Sequence, residues 1–199
     1  RGYFPDQLEA LERGGARVID FSPLHDEALP ERTDVLLLGC GRTDRHAAEL
    51  AANFCMQASL REFARRGGRI YAEGGGCAYL GRWLRGADGY DYPMTNLLPL
   101  AAVRSENAGP PEPTELAPVG ENWLFPEGRT LRAYRSRAWR MELLEPIETL
   151  HEFNGAPTLM ATGNIVGGTL QVHLGAADLL PALLEPARFE LPLYSVVTV

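Results

Sequence analysis

The sequence contains no lysine, and all 19 of its basic residues are arginine. Schiff-base chemistry and the lysine of a phosphate-binding loop are therefore excluded within these residues. The 26 acidic residues outnumber the bases and give a formal net charge of -7. Because nucleic-acid binding needs a local excess of positive charge, the composition argues against a nucleic-acid partner.

Cysteine is also scarce, and Cys40, Cys55 and Cys77 include no Cys-x-x-Cys pair. Thiols at these spacings indicate neither a zinc site nor a disulfide framework. We expect all three to be buried free thiols, since free cysteine is among the most buried residue types. We predict no metal and no cofactor.

Long apolar runs are absent, since none approaches the roughly 18 residues that a membrane-spanning helix needs. Residues 1–30 lack the charged start and apolar middle of a signal peptide. Apolar residues make up 45% of the chain and aromatic residues 9%, as in globular proteins. We therefore predict a cytoplasmic protein that does not enter a membrane.

The first half alternates segments with helical and strand-like patterns. Helices are predicted over 6–12, over about 44–66 and through 78–84, and apolar strands over 17–21, 33–38 and 69–72. This alternation across glycine-marked turns predicts an α/β fold with a doubly wound, mostly parallel sheet. A helix that begins at residue 6 should follow a strand, and residues 1–5 are too few to form one. We therefore expect a first strand upstream, in a longer protein.

The second half is predicted to belong to the same single domain, residues 1–199. Residues 104–130 are rich in Pro, Gly and Glu and predict a long connection. Beyond it the strand-like segments are 131–134, 140–144, 148–153, 158–162, 164–174 and 194–199, with a helix over 177–184.

Two strand-to-helix turns carry the candidate site, one at Gly39-Cys40-Gly41 and one at Glu73-Gly74-Gly75-Gly76. Open α/β sheets bind ligands at such turns, at the C-terminal ends of parallel strands. A tight turn before a helix presents one side chain at the helix N-terminus, where a thiolate and a developing oxyanion are favoured. Glycines beside it allow close approach of a substrate to the backbone.

Together these segments resemble the glutaminase domain of the cobyrinic acid a,c-diamide synthase and cobyric acid synthase family, a branch of the class I glutamine amidotransferases. The matching segments are QLEALERGGA at 7–16, FSPL at 21–24, LGCGRTD at 38–44, HAAELAAN at 46–53 and YAEGGGCAYL at 71–80. The match is specific over 6–85 and looser at 165–173. The resemblance implies a flavodoxin-like amidotransferase fold, glutamine-dependent amidation in cobalamin biosynthesis and an ATP-dependent synthetase domain as partner.

The departures from the family pattern bear on activity. The family's nucleophilic Cys falls on Gly74, which has no side chain, and its Gly-Gly-Gly-Tyr-Pro-Glu loop has become 39–44 with Cys40 in the middle. His173 matches the family's base. The third triad member is expected two positions later, where this chain has Gly175. We therefore predict that the chain does not hydrolyse glutamine.

Three functions stay open at this point. A degenerate domain could bind a small carboxylate or amide through the residues of the two turns: Gly39, Cys40, Gly41, Glu73, Gly75 and Cys77. An interaction or scaffold domain could instead pack against the synthetase domain or subunit. An enzyme with relocated chemistry would use Cys77, one helical turn past Gly74, or Cys40. We expect Glu73 itself to be a partly buried carboxylate that accepts backbone N–H bonds, and His173 a hydrogen-bonded pocket histidine.

Overall fold

The computed structural model describes residues 5–105, 109–176 and 178–185, so the strand-like segment predicted at 194–199 lies outside the described residues. The helices are α1 (Pro5–Arg13), α2 (Ala47–Ala52), α3 (Phe54–Arg65), α4 (Gly75–Leu80) and α5 (Leu180–Leu184), with a 3-10 turn at Thr43–His46. No helix within these ranges combines the length and the apolar character needed to span a membrane.

Twelve strands are formed in the described ranges. They are β1 (Val35–Leu38), β2 (Arg69–Glu73), β3 (Trp83–Arg85), β4 (Asp91–Pro93), β5 (Leu100–Arg104), β6 (Glu112–Leu116), β7 (Leu131–Arg135), β8 (Trp139–Leu143), β9 (Glu148–Phe153), β10 (Ala156–Thr162), β11 (Ile165–Gly168) and β12 (Leu170–Val172). The main sheet has five strands in the order β1-β2-β11-β10-β9. Two smaller sheets have the orders β4-β3-β5-β8 and β12-β7-β6.

The main sheet is parallel on the side that carries the two glycine turns. Strand β2 pairs in parallel with β1 on one side and with β11 on the other, whereas β10 is antiparallel to both its neighbours. Every residue of β2 is buried. The predicted α/β class is confirmed, and the carboxyl ends of β1 and β2 lie side by side at one edge.

Helices cover both faces of this sheet. On one face Ile70 and Ala72 of β2 join a buried cluster with residues of α2, α3 and α4. On the other face Tyr71 and Val166 join a second cluster with Leu11 of α1. The alternation follows from the strand period of two, which turns successive side chains of β2 to opposite faces.

The prediction of one helix over 44–66 is wrong, because the helix is interrupted at Asn53, between α2 and α3. The Asn53 side-chain oxygen accepts a hydrogen bond from the Met56 amide (3.1 Å), so Asn53 caps the start of α3. Its side-chain nitrogen donates to the carbonyls of Pro23 and Asp26, both at 2.9 Å. Asn53 therefore joins the helix to a distant loop, an interaction that helical periodicity does not reveal.

The predicted strand over 17–21 is also not formed, and its residues carry no strand assignment beside β1. A strand needs a hydrogen-bonded neighbour, and within the described ranges β1 pairs only with β2. Residues 17–21 have no assigned secondary structure, and they line a cleft together with the residues of β1.

Four other segments differ from the predictions. The connection over 104–130 contains β6, whose Pro113 fits because β6 is an edge strand and needs fewer backbone donors. Helix α4 ends at Leu80, and Leu84 belongs to β3. The segment 164–174 divides at Thr169 into β11 and β12, which lie in different sheets. The helix predicted over 177–184 begins at Leu180 among the described residues.

Candidate functional site

The turn at Gly74 has the geometry of a sharp strand-to-helix elbow. Strand β2 ends at Glu73, helix α4 begins at Gly75, and Gly74 between them has φ 50° and ψ −111°. L-residues rarely adopt this conformation, whereas glycine does so without steric cost. The Gly74 amide donates to the Gly168 carbonyl (2.8 Å), and its carbonyl accepts from the Ala78 amide (2.9 Å). The elbow is thus fixed by β11 on one side and by the first turn of α4 on the other.

The two glycine turns pack against each other through their backbones. The Gly76 amide donates to the Gly39 carbonyl (3.1 Å), and the Thr43 hydroxyl donates to the Gly75 carbonyl (3.1 Å). A Cβ on residue 75 would lie 2.1 Å from the Gly41 carbonyl oxygen. Contact between the turns therefore accounts for the glycine at 75. The predicted ligand contacts of Gly39, Gly41 and Gly75 remain a prediction.

The space above the elbow is occupied by two side chains from other elements. A Cβ built on residue 74 would lie 3.0 Å from the Cys40 sulfur and 3.2 Å from Cδ1 of Trp139. Trp139 is buried at the start of β8, and the Arg104 guanidinium lies over its ring at 5.6 Å. Cys40 therefore points to the elbow, and Trp139 is a site residue that the sequence patterns did not identify.

Glu73 is a buried carboxylate at the carboxyl end of β2, with only 4% of its surface exposed. Its Oε1 accepts hydrogen bonds from the Tyr71 hydroxyl (2.8 Å) and the Val172 amide (3.1 Å). Burial raises the pKa of Glu73 to about 7, against the opposing effect of these hydrogen bonds. Glu73 has the backbone hydrogen bond expected from the sequence, and its carboxyl is partly protonated near neutral pH.

The Cys40 thiol lies between Glu73 and Gln171. Its sulfur is 3.9 Å from Oε2 of Glu73 and accepts a hydrogen bond from the Gln171 side-chain amide (2.6 Å). Burial, followed by the negative charge of Glu73, raises the pKa of Cys40 to about 12. Because the thiolate is the nucleophilic form, Cys40 is a weak nucleophile at neutral pH.

The other two cysteines lie away from the elbow space. Cys77 is fully buried, and its sulfur would lie 3.0 Å from a Cβ on residue 167 of β11. Its thiol faces the sheet, and desolvation raises its pKa. The predicted ligand contact of Cys77 remains a prediction, and α4 turns this side chain into the core. Cys55 is exposed, contrary to the expectation that all three thiols are buried. No three side chains of the metal-ligating types come together in the described ranges.

His173 pairs with a carboxylate from the other end of the chain. Its Nε2 lies 2.9 Å from Oδ2 of Asp6 in α1, and both side chains are more than half exposed. The hydrogen bond with His173 lowers the pKa of Asp6. The atoms nearest a Cβ on residue 74 belong to Cys40 and Trp139 and not to His173. The histidine is hydrogen-bonded, as expected, but it is exposed and not enclosed in a pocket. Asp6 was not recognised from the sequence because the two residues are 167 positions apart.

Comparison with known proteins identifies relatives with named functions. Residues 3–108 match the family described as the CobB/CobQ-like glutamine amidotransferase domain. A cobyrinate a,c-diamide synthase of Salmonella typhimurium is 41% identical over 204 residues, covering 94% of this chain and 42% of that protein. A second one, of Syntrophotalea carbinolica, is 43% identical over 99 residues, covering 50% of this chain and 22% of that protein.

Solved structures show the same fold. A glutamine amidotransferase crystal structure matches 87% of each chain with a TM-score of 0.60 and 18% identity. The structure of PurLQS from Thermotoga maritima matches 89% of this chain and 88% of that one, with a TM-score of 0.58 and 16% identity. The predicted amidotransferase-like fold is thereby confirmed. The chain spans 42% of the length of its Salmonella relative. The family match over residues 3–108 shows that the chain belongs to the CobB/CobQ-like glutamine amidotransferase domain family.

Proposed function

We propose that this chain is the glutaminase-like domain of a cytoplasmic protein related to the cobyrinate a,c-diamide synthases of cobalamin biosynthesis, and that it does not hydrolyse glutamine. The observation that carries the proposal is the elbow at Gly74, which has the sharp backbone of a nucleophile-bearing turn and no side chain. The Cys40 sulfur and the Trp139 ring occupy the adjacent space. A substrate carbonyl at this turn would meet no attacking atom on residue 74 itself, and the Cys40 thiol and the Trp139 ring would lie beside it.

Neither nearby thiol is suited to replace the missing nucleophile. Attack by Cys40 requires its proton to move to a base, and the adjacent carboxylate is that of Glu73 at 3.9 Å. The two pKa values, about 12 and about 7, differ by roughly five units. Proton transfer from the Cys40 thiol to the Glu73 carboxylate is therefore unfavourable before any chemistry begins. Cys77 is fully buried and faces β11, so it has no access to a substrate.

Of the functions that the sequence left open, we favour a packing domain over a ligand-binding one. Trp139 leaves little room for a small carboxylate or amide at residue 74, since its ring would lie 3.2 Å from a Cβ there and is buried at 5% exposure with Arg104 over it. The relatives named cobyrinate a,c-diamide synthase are more than twice as long as this chain, which supports a synthetase domain or subunit as the partner. Without glutamine hydrolysis, such a protein would take its amide nitrogen from free ammonia.

An assay of ammonia release from glutamine tests this proposal. We expect the rate with the chain, alone or within its full-length protein, to equal the rate in buffer and the rate of a Cys40→Ser variant. Loss of the nucleophile alone costs about a millionfold in turnover in a comparable covalent mechanism, so no residual rate should be detectable. Ammonia release that disappears in Cys40→Ser would overturn the proposal and assign the chemistry to the relocated thiol. Release that persists in that variant would overturn it as well.

A further inference from the structure

Three arginines lie near one buried carboxylate at the end of the first glycine turn, and they are called the arginine cluster below: Arg42, Arg45 and Arg104. The carboxylate is that of Asp44, which is 5% exposed and accepts hydrogen bonds from Nε (2.9 Å) and Nη2 (2.7 Å) of Arg42. Nε of Arg104, the last residue of β5, lies 3.9 Å from Oδ1 of Asp44. The Arg45 amide donates to the Arg42 carbonyl (3.0 Å). Because residues three apart are nearly eclipsed in a 3-10 turn, these two side chains leave the same side of the turn.

The arginine cluster has an excess of positive charge. Its three guanidinium groups face one carboxylate, so two positive charges are uncompensated, in a chain whose formal net charge is -7. Burial and the positive charge of Arg42 lower the pKa of Arg104, and the charge of Arg45 acts in the same direction. The charge of Asp44 opposes them. The three cations therefore repel one another, and an added anion would stabilise their arrangement.

Most N–H donors of the arginine cluster are not used within the part of the chain that the structure describes. Arg42 uses Nε and Nη2 for Asp44, which leaves Nη1. The guanidinium groups of Arg45 and Arg104 donate no hydrogen bond to a described residue. The Arg104 side chain is only 25% exposed, so its donors are partly shielded from water. A shielded donor without an acceptor is costly, and an oxyanion supplies the acceptor.

The arginine cluster lies beside the elbow but opens to solvent. The Arg104 guanidinium lies over the ring of Trp139, and the same ring is next to residue 74. The side chain of Arg42 is 45% exposed, and Arg45 is exposed as well. An anion can therefore reach the arginine cluster without displacing Trp139. Such binding does not depend on whether the chain hydrolyses glutamine.

The chemistry of the arginine cluster fits a phosphoryl group. Guanidinium groups form paired, charge-assisted hydrogen bonds with phosphate oxygens. A phosphoryl group carries about −1.5 to −2 charges at pH 7 and three acceptor oxygens, which suits two uncompensated charges and three arginines. A carboxylate has one charge and two oxygens, which a single arginine satisfies, as Arg42 does for Asp44. We propose that the arginine cluster is a binding site for the phosphoryl group of a phosphorylated small molecule or of inorganic phosphate.

A nuclear magnetic resonance titration that follows the arginine Nε–Hε signals of residues 1–199 tests the proposal. The probes are inorganic phosphate, methyl phosphate and glutarate, at constant ionic strength so that general screening does not change. We expect inorganic phosphate to bind at least tenfold more tightly than glutarate, which carries its two charges on separate carboxylates. Binding of methyl phosphate as well identifies a phosphorylated small molecule as the ligand, and binding of inorganic phosphate alone identifies the free anion. No saturable shift with either phosphate, or tighter binding of glutarate, overturns the proposal.

Two variants show whether the arginine cluster is the site of binding. Arg45→Gln and Arg104→Gln each remove one guanidinium group and leave the hydrogen bonds between Arg42 and Asp44 in place. We expect each variant to bind inorganic phosphate about tenfold to a hundredfold more weakly, the usual effect of losing a hydrogen bond to a charged group. Arg45 is exposed, so Arg45→Gln keeps the test valid if Arg104→Gln, which also loses the Trp139 contact, does not fold.

Arg13→Gln is the matched control for the change in net charge. Arg13 lies in α1, which covers the opposite face of the main sheet from α2 and α4, and its partner is Glu9. We expect this variant to change phosphate affinity by less than about twofold, because exposed charges are screened over such a separation. Native affinity in Arg45→Gln overturns the proposal. An equal loss of affinity in Arg13→Gln also overturns it, since phosphate would then respond only to the net charge of the chain.

Discussion

Replacing Gly75 with alanine should destabilise the chain by about 3 kcal/mol, the upper end of the usual cost of overpacking a core. The added Cβ would lie 2.1 Å from the Gly41 carbonyl oxygen and 2.9 Å from its carbonyl carbon. These are backbone atoms, which cannot rotate away as the end of a flexible side chain can. Relief would require the two glycine turns to separate, with loss of the hydrogen bond from Gly76 to Gly39.

Urea unfolding of Gly75→Ala and Gly41→Ala measures this effect against a matched control. The nearest neighbour of a Cβ on residue 41 is the methyl group of Thr43 at 3.8 Å, an ordinary van der Waals contact. We expect Gly41→Ala to lie within about 0.5 kcal/mol of the native chain. Equal stability of the two variants would show that the turns do not make the close backbone contact described above.

Glu73 should make the chain less stable as pH rises from 4.5 to 8, by about 3 kcal/mol in total. Burial raises the pKa of Glu73 from its ordinary 4.5 to about 7 in the folded chain. Below pH 4.5 both the folded and the unfolded chain hold the proton. Between the two pKa values only the folded chain holds it, so stability falls with rising pH until the folded chain also ionises.

A Glu73→Gln variant isolates this contribution from those of the other carboxylates. The amide oxygen can still accept from the Tyr71 hydroxyl and the Val172 amide, but the side chain no longer titrates. From pH 5 to pH 8 the free energy of unfolding should therefore decrease more in the native chain than in the variant. The difference between the two decreases should be most of the 3 kcal/mol. Parallel pH profiles would mean that Glu73 is ionised at little cost in the folded chain.

The elbow could be predicted from the sequence because its determinants are local. An apolar strand over 69–72 leads directly into Glu73 and three glycines, and the positive φ of Gly74 suits glycine at that position. Parallel pairing of β1 with β2 then follows from the order of strands and helices. The two turns that the sequence places at the same sheet edge do meet there.

The side chains that fill the site could not be predicted, because they arrive from distant elements. Trp139 is 65 positions from Gly74, and Gln171 is 131 positions from Cys40. The partner of His173 is Asp6, which the pattern indicated only as the start of a helix. Such contacts depend on the positions of β8, β12 and α1. Those positions are set by the two smaller sheets and the second buried cluster, and no local motif encodes them.

The thiol of the site lies on the opposite turn from that expected of its family. The family pattern that the sequence resembles implies glycine in the first turn and cysteine at the elbow, whereas here Cys40 occupies the first turn and Gly74 the elbow. A Cβ on residue 74 would lie 3.0 Å from the Cys40 sulfur, so a side chain at residue 74 and the Cys40 side chain would occupy the same space. A cysteine at 74 would fit only if residue 40 or Trp139 yielded space.

Reaction with a glutamine analogue that carries an electrophilic diazoketone, followed by intact-mass analysis and peptide mapping, tests the central claim most directly. Such a reagent modifies a thiol rapidly where that thiol lies in a functioning glutamine site. Iodoacetamide serves as the positive control and should modify the exposed Cys55. We predict no adduct of the analogue on Cys40 or Cys77 under conditions in which Cys55 reacts fully with iodoacetamide. A stoichiometric adduct of the analogue on Cys40 would contradict the claim that this elbow has no nucleophile.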